Sequence, residues 1–217
     1  MFPLPSAEGY IFDFNGTLFW DEEENREAWN RTAEAIRGRA LDDEEFQALN
    51  GRTDRDTVLY LVPGAREAVI CKWSLYKEEI YKDLCISRHL KLPPGAEEVL
   101  SILKERNAAM AIASSAPKMN MDWYVPYLSL ERFFDSDRII CSPPGVSPKP
   151  SGDIFRLAMR RIGTSGKNTV IFEDSLSGVK AAEDAKASCI YRIKGRGKSL
   201  QGFPNVKEIE SFMDFLV

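Results

Sequence analysis

The chain alternates short apolar segments with longer amphipathic ones, and this alternation narrows the choice of fold more than any other feature. Five segments combine the length of a strand with an apolar, β-branched or aromatic composition; they are residues 10–12, 109–113, 138–141, 169–172 and 188–191. Phe133 and Phe134 are assigned to the third strand region as well. Apolar strands that alternate with helices are typical of a parallel sheet covered on both faces. We therefore predict an α/β fold with a doubly wound parallel sheet.

The interval between the first two strands is long and consists almost entirely of helical sequence. Its helical segments are residues 21–40, 42–49, 57–62 and 65–87. A crossover between parallel strands needs only about a dozen residues, so we interpret the excess as an inserted all-α domain that caps the strand ends. The predicted division is an α/β core of residues 1–19 and 91–217 and a helical cap of residues 20–90. The alternative is that these helices simply pack on the sheet.

Composition and charge exclude several classes of protein. A length of 217 residues with 44% hydrophobic residues suits one medium domain with a small insert. The net charge of −4 and the dispersed lysines and arginines argue against a nucleic-acid partner. The four cysteines lack metal-type spacing and indicate reduced thiols. We find no signal peptide and no apolar run long enough to span a membrane, so we expect a cytoplasmic protein, monomeric by default.

Polar side chains follow the predicted strands where a ligand site would form. Asp13 ends the first strand, Ser114 follows the second, and Glu173 with Asp174 follows the fourth, while Lys149 lies in a loop rich in Pro and Gly. The carboxyl ends of parallel strands meet at one edge, so these side chains should converge there. Carboxylates suit Mg²⁺, and a hydroxyl with an ammonium group suits phosphate. Taken singly, each residue could instead be a helix cap or a solvated loop residue.

The first of these positions has local support from its neighbours. Gly16 allows the backbone to turn away after Asp13, and Thr17 offers a hydroxyl and an amide close to that carboxylate. A carboxylate held at a strand end can act as a nucleophile, a metal ligand or both. An ordinary strand followed by a turn would also explain this stretch by itself.

Four motifs in this order resemble those of a known superfamily. Residues 13–18 read Asp-Phe-Asn-Gly-Thr-Leu, residues 149–155 read Lys-Pro-Ser-Gly-Asp-Ile-Phe, and residues 173–182 read Glu-Asp-Ser-Leu-Ser-Gly-Val-Lys-Ala-Ala. With Ser114 after a hydrophobic strand, they resemble motifs I to IV of the haloacid dehalogenase (HAD) superfamily, in its β-phosphoglucomutase-like subgroup. The resemblance covers nearly the whole chain and implies a Rossmann-like core with a helical cap.

The resemblance also implies a phosphatase mechanism that depends on a metal. Asp13 would attack phosphorus and form an aspartyl-phosphate, and the substrate would be a small phosphorylated metabolite. Mg²⁺ would be held by Asp13, the Asn15 carbonyl and Asp174, with Glu173 bound directly or through water. The metal lets an anionic nucleophile approach an anionic ester.

Further residues would bind the substrate by the same resemblance. The implied phosphate-binding set consists of Gly16, Thr17, Ser114, Ser115 and Lys149, of which Lys149 would neutralise charge between the nucleophile and the phosphate. Residues 51–56 loosely resemble the substrate-contacting loop of the cap. Within that loop, Arg52 and Arg55 are the cations expected to meet a substrate anion.

The sequence departs from the family pattern at two positions. Asn15 stands where phosphatases of the superfamily carry an aspartate that acts as general acid and base, and an amide cannot do this work. Asn25 stands where mutases of the subgroup usually carry a histidine, and the only histidine, His89, is interpreted as a surface residue. We therefore expect a slow phosphatase in preference to a phosphomutase. A weakly active sensor that binds a phosphorylated ligand is the other alternative.

Related phosphonatases use a cap lysine that forms a Schiff base. The cap lysines here are Lys72, Lys77 and Lys82, and the surface of a helix is the better interpretation for all three.

Overall fold

The computed structural model describes residues 3–49, 52–141, 143–193 and 202–216. Its strands are β1 (Gly9–Phe12), β2 (Ala109–Ser114), β3 (Ile139–Cys141), β4 (Thr169–Glu173), β5 (Cys189–Ile193) and β6 (Val206–Ile209). They form one parallel sheet in the order β3-β2-β1-β4-β5-β6. From β1, the chain adds β2 and then β3 on one side of the sheet; it then returns to the other side of β1 and adds β4, β5 and β6. The predicted doubly wound α/β fold is confirmed, and its switch point lies beside β1.

Helices separate the first five strands along the chain. The helices are α1 (Glu22–Arg37), α2 (Asp43–Leu49), α3 (Asp54–Leu61), α4 (Glu67–Ser87), α5 (Ala96–Glu105), α6 (Lys118–Tyr127), α7 (Asp153–Ile162) and α8 (Leu176–Asp184). Short 3₁₀ helices cover Leu130–Arg132, Ser136–Arg138, Gly166–Asn168 and Phe212–Phe215. None of the helices in the described parts of the chain is long and apolar enough to cross a membrane.

The chain divides into two compact units, Met1–Trp20 with Lys91–Val217 and Asp21–Leu90. The first unit contains the sheet, and the second contains α1 to α4. Inside the helical unit, α1 packs against α4 around the buried side chains of Trp29, Val58 and Ile70. The inserted all-α unit that the helical interval predicted is therefore present.

The middle strands of the sheet are buried on both sides, which explains their continuous apolar sequences. Every residue of β1 and β4 is buried. Phe12 of β1 stacks on Phe172 of β4 with ring centroids 4.8 Å apart, and Phe212 packs against both rings. This aromatic cluster lies one residue before Asp13 and Glu173, so the core directly supports the carboxyl edge of the sheet.

Three parts of the core differ from the sequence prediction. The segment after Ser115, for which no element was predicted, contains α6, whose aromatic residues and internal Pro126 make a weak helical pattern. Phe133 and Phe134 are not in a strand; they follow a 3₁₀ helix, and Phe134 packs edge-on against Phe12. The sixth strand, β6, was not predicted because it has only four residues, and the middle two, Lys207 and Glu208, are charged.

One prediction about the helical unit is wrong. Lys77 is only 5% exposed, whereas Lys72 is exposed as expected. Lys77 shares the buried face of α4 with Ile70, Tyr81 and Leu84, at the seven- and four-residue spacings of one helix face. Its ammonium group donates to Glu78 Oε1 at 2.9 Å, and this pairing allows a charged side chain to occupy that face.

The aromatic cluster should carry much of the stability of the core. We expect Phe172→Ala to lower the free energy of unfolding by about 3–5 kcal/mol, because a fully buried ring leaves a cavity between Phe12 and Phe212. Urea denaturation followed by circular dichroism measures the change. Leu176→Ala is the control, since Leu176 is 44% exposed and should change stability little. Equal losses in the two variants would contradict this account of the core.

Candidate active site

The site is built around Asp13, the first residue after β1. Its backbone amide donates to the Phe172 carbonyl at 2.9 Å, which continues the pairing of β1 with β4. Its side chain is buried and accepts a hydrogen bond from the Lys149 ammonium group at Oδ1. The same ammonium group donates to Glu173 Oε1 at 2.6 Å. The structure therefore brings together three of the residues that the sequence motifs placed far apart in the chain.

Asp13, Glu173 and Asp174 form a cluster of carboxylates. Each offers one oxygen atom, and these oxygens all lie within 4.8 Å of one another. Burial raises the pKa of Asp13, Glu173 raises it further, and Lys149 opposes both. Burial likewise raises the pKa of Asp174, and the two neighbouring carboxylates add to this effect. When all three acids are ionised, the cluster carries more negative charge than one lysine can balance.

Lys149 remains a cation in this buried position because of its partners. Burial disfavours its charge, but the carboxylates of Asp13 and Glu173 outweigh that cost and raise the pKa of the ammonium group. The ammonium group also lies 4.9 Å from the centre of the Phe155 ring, on the first turn of α7. The hard oxygen donors and the remaining negative charge fit a divalent cation such as Mg²⁺.

Two glycines allow the carboxylates to approach this closely. Gly16 has φ +81°, and a Cβ there would lie 2.3 Å from Asp174 Oδ2. A Cβ on Gly178 would lie 1.7 Å from Glu173 Oε1. Thr17 is buried beside them, and its hydroxyl donates to Asp174 Oδ1 at 3.4 Å. Close packing against acidic side chains thus explains Gly16 and Gly178.

Glu173 is held by its own loop as well as by Lys149. Its Oε2 accepts hydrogen bonds from the backbone amides of Asp174 at 2.8 Å and Ser175 at 2.7 Å. The Ser175 hydroxyl accepts a hydrogen bond from the Gly178 amide and caps the start of α8. The side chain of Glu173 therefore links Lys149 to the turn that carries Asp174.

The predicted phosphate-binding serines lie at the end of β2. Ser114 is buried, and its hydroxyl accepts a hydrogen bond from the Ala116 amide at 3.0 Å. Because Phe12 pairs with Ile112, Ser114 lies at the same edge of the sheet as Asp13. Ser115 follows it and is exposed. The phosphate-binding roles of both serines, and of Gly16 and Thr17, stay predictions.

Asn15 contacts a residue that the sequence analysis did not identify. Its side-chain amide donates to the Tyr124 hydroxyl at 3.3 Å, and the Tyr124 ring packs 4.6 Å from the Phe14 ring. The turn around Asn15 is closed by the amides of Leu18 and Phe19, which both donate to the Phe14 carbonyl. Tyr124 lies on α6, so no motif or predicted element indicated it.

Arg52 and Arg55 belong to the helical unit, where both are exposed. Arg55 is paired with Glu67, with Nη1 2.7 Å from Oε1. Gly51, which begins the predicted substrate loop, lies outside the described residues. The substrate-binding role of the two arginines stays a prediction.

Comparisons with known proteins identify the family to which the chain belongs. The model of the family described as haloacid dehalogenase-like hydrolase matches residues 10–191. The phosphorylated carbohydrates phosphatase of Thermotoga maritima is 30% identical over 190 residues, which cover 86% of this chain and 85% of that protein.

Two solved structures are similar in fold to this chain. A HAD hydrolase of family IA, variant 3, from Entamoeba histolytica has a TM-score of 0.83 and 29% identity, covering 96% of this chain and 99% of that one. A mutant of CbbY from Rhodobacter sphaeroides, in complex with xylulose-1,5-bisphosphate, has a TM-score of 0.78 and 26% identity over 95% of each chain. The chain therefore belongs to the haloacid dehalogenase-like hydrolase family and is an enzyme of its phosphatase type.

Proposed function

We propose that this protein is a Mg²⁺-dependent phosphatase of small phosphorylated metabolites, sugar phosphates among them, that reacts through an aspartyl-phosphate on Asp13. The observation that carries the proposal is the buried carboxylate of Asp13, bonded to Lys149 within a cluster of three acids. The name of the Thermotoga maritima relative, a phosphatase of phosphorylated carbohydrates, supports this substrate class.

Asp13 and Lys149 have different roles in the first step, the transfer of the phosphoryl group to Asp13. Lys149 holds Oδ1 of Asp13 and thereby orients the carboxylate. A bond forms between a carboxylate oxygen of Asp13 and phosphorus while the ester P–O bond breaks, and the leaving oxygen takes a proton from solvent. Lys149 also balances negative charge on the phosphoryl group as it transfers. Attack by water on phosphorus then releases phosphate and restores Asp13.

Asp13, the Asn15 carbonyl and Asp174 would hold the metal in this proposal. Both oxygens of Glu173 already accept hydrogen bonds from Lys149 and from the turn after β4, so Glu173 would contribute through water. Bound Mg²⁺ would neutralise charge where an anionic carboxylate meets an anionic ester. Ser114, Ser115 and the amides of Gly16 and Thr17 would bind the phosphoryl oxygens.

Phosphate release from a panel of phosphomonoesters and acyl phosphates, with and without Mg²⁺, tests the proposal. We expect release that requires Mg²⁺ and is lost in Asp13→Asn, because an amide is not a nucleophile for phosphorus. Release that persists in Asp13→Asn would refute the aspartyl-phosphate mechanism.

Asn15 favours a second candidate function, which is ligand sensing. In this case the protein would bind a phosphorylated ligand and hydrolyse it weakly or not at all. The amide at the acid/base position is the observation that supports it. The same panel separates the two functions: a sensor would bind members of the panel in calorimetry without releasing phosphate.

We expect Asp174→Ala to abolish measurable Mg²⁺ binding, because it removes one carboxylate from the cluster that would hold the cation. Titration calorimetry on both proteins measures the change, with circular dichroism to confirm folding. Asp122→Ala is the matched control, because Asp122 is an exposed carboxylate paired with Lys118 on α6. Wild-type affinity in folded Asp174→Ala would show that the cation binds elsewhere.

We expect Asn15→Asp to raise turnover of alkyl phosphates by about 10²-fold, within the usual contribution of a positioned general acid and base. The wild type should favour acyl and aryl phosphates and accumulate phosphoenzyme, since an amide cannot deprotonate the attacking water. Rapid-quench measurement of phosphoenzyme in both proteins tests this. Asn107→Asp, an exposed amide-to-acid change, is the control. Brisk wild-type hydrolysis that the substitution does not improve would mean that another residue is the base.

A further inference from the structure

Arg192 is a buried arginine at the same edge of the sheet and belongs to none of the four motifs. It lies on β5 and is 5% exposed. The strand register pairs it with Glu173 of β4 on one side and with Glu208 of β6 on the other. Burying an arginine is costly unless its charge and its N–H groups are satisfied. The hydrogen-bond partners of Arg192 therefore indicate its role.

The guanidinium group of Arg192 holds the backbone of the turn after β4. Its Nε donates to the Asp174 carbonyl oxygen at 3.0 Å, and its Nη1 donates to Glu208 Oε1 at 2.8 Å. A planar guanidinium group makes both contacts from separate nitrogen atoms held in a rigid fork, whereas the donors of a lysine share one nitrogen atom on a flexible stem. The Glu208 carboxylate supplies the counter-charge and keeps the fork in place.

These contacts hold the peptide groups on both sides of Asp174. The peptide group before the Asp174 Cα donates through the Asp174 N–H to the Glu173 carboxylate. The peptide group after it donates to the same carboxylate through the Ser175 N–H. The carbonyl of the second peptide group accepts from Arg192. The two backbone dihedral angles that aim the Asp174 carboxylate at Asp13 are thus determined from two directions, by Glu173 and by Arg192.

We propose that Arg192 is a positioning residue for Asp174, anchored by Glu208, and that this pair sets the affinity of the carboxylate cluster for a divalent cation. The inference rests on the proposed function, because it assumes that Asp174 binds Mg²⁺. Partners that orient a metal ligand are typically worth about 10–100-fold in metal affinity. The sixth strand then serves the site as well as the sheet, since it carries the anchor.

Mg²⁺ titration calorimetry on folded Arg192→Met tests the proposal. We expect affinity to fall by about 10–100-fold, while phosphate release recovers most of its wild-type rate at saturating Mg²⁺. Arg192→Lys, which keeps the charge but not the fork, should weaken binding less. Glu208→Leu should weaken binding in the same direction. A purely structural role would lower the melting temperature of these variants without changing the Mg²⁺ affinity of their folded fraction.

Arg161→Met is the matched control, because Arg161 is exposed on α7 and its loss should not change Mg²⁺ affinity. Should Arg192→Met fail to fold, Arg192→Lys decides the question. Wild-type Mg²⁺ affinity in whichever of these two variants folds would overturn the inference. Failure of the wild type to bind Mg²⁺ would refute the proposed function itself, so the two failures are distinguishable.

Discussion

The rest of the structure depends on how buried negative charge is assembled at the carboxyl edge of the sheet. Asp13 and Glu173 end adjacent parallel strands, and Asp174 follows immediately, so the topology itself forces three carboxylates into one small volume. Burial and mutual repulsion raise the pKa of Asp13 and of Asp174. Their ionised forms therefore need compensating positive charge, which Lys149 supplies in part and a divalent cation would complete.

The surrounding residues are adapted to this concentration of charge. Gly16 and Gly178 leave room for the acidic side chains, and no larger residue would fit without moving them. The turn that carries Asp174 is bonded to Glu173 on one side and to Arg192 on the other. The helical unit also pairs a buried charge with an opposite one, because the ammonium group of its buried Lys77 contacts the Glu78 carboxylate. In each unit, a buried lysine has a carboxylate within hydrogen-bonding distance.

Asn15 bears differently on the two steps of the proposed reaction, which are formation and hydrolysis of the phosphoenzyme. In the proposed mechanism, Asp13, Lys149 and the candidate metal ligands serve phosphoryl transfer, whereas Asn15 carries an amide that cannot exchange a proton. The structure shows this amide bonded to Tyr124, so it is part of the packing of α6 as well as of the turn. In the proposed mechanism, the site has the charges for forming a phosphoenzyme but lacks the usual group for hydrolysing it.

The local sequence by itself determined the fold class, the helical insert and the residues at the strand ends. Buried parallel strands must be apolar throughout, and their polar residues must follow at the carboxyl end, so β1, β2, β4 and the polar residues at their ends can be located from sequence alone. Weak or short patterns were not interpretable: α6 has poor helix formers, β6 has four residues, and Phe133 with Phe134 has the composition of a strand.

Only the tertiary structure decided which distant partners each polar residue has. Lys77 looks like a surface lysine until the packing of α1 against α4 places its face inside. Tyr124 meets Asn15 across 109 positions, and Arg192 reaches Asp174 across 18. Local sequence preferences reflect interactions over a few residues, whereas these contacts depend on how separate elements pack. They are therefore properties of the folded chain and are not encoded in any one segment of it.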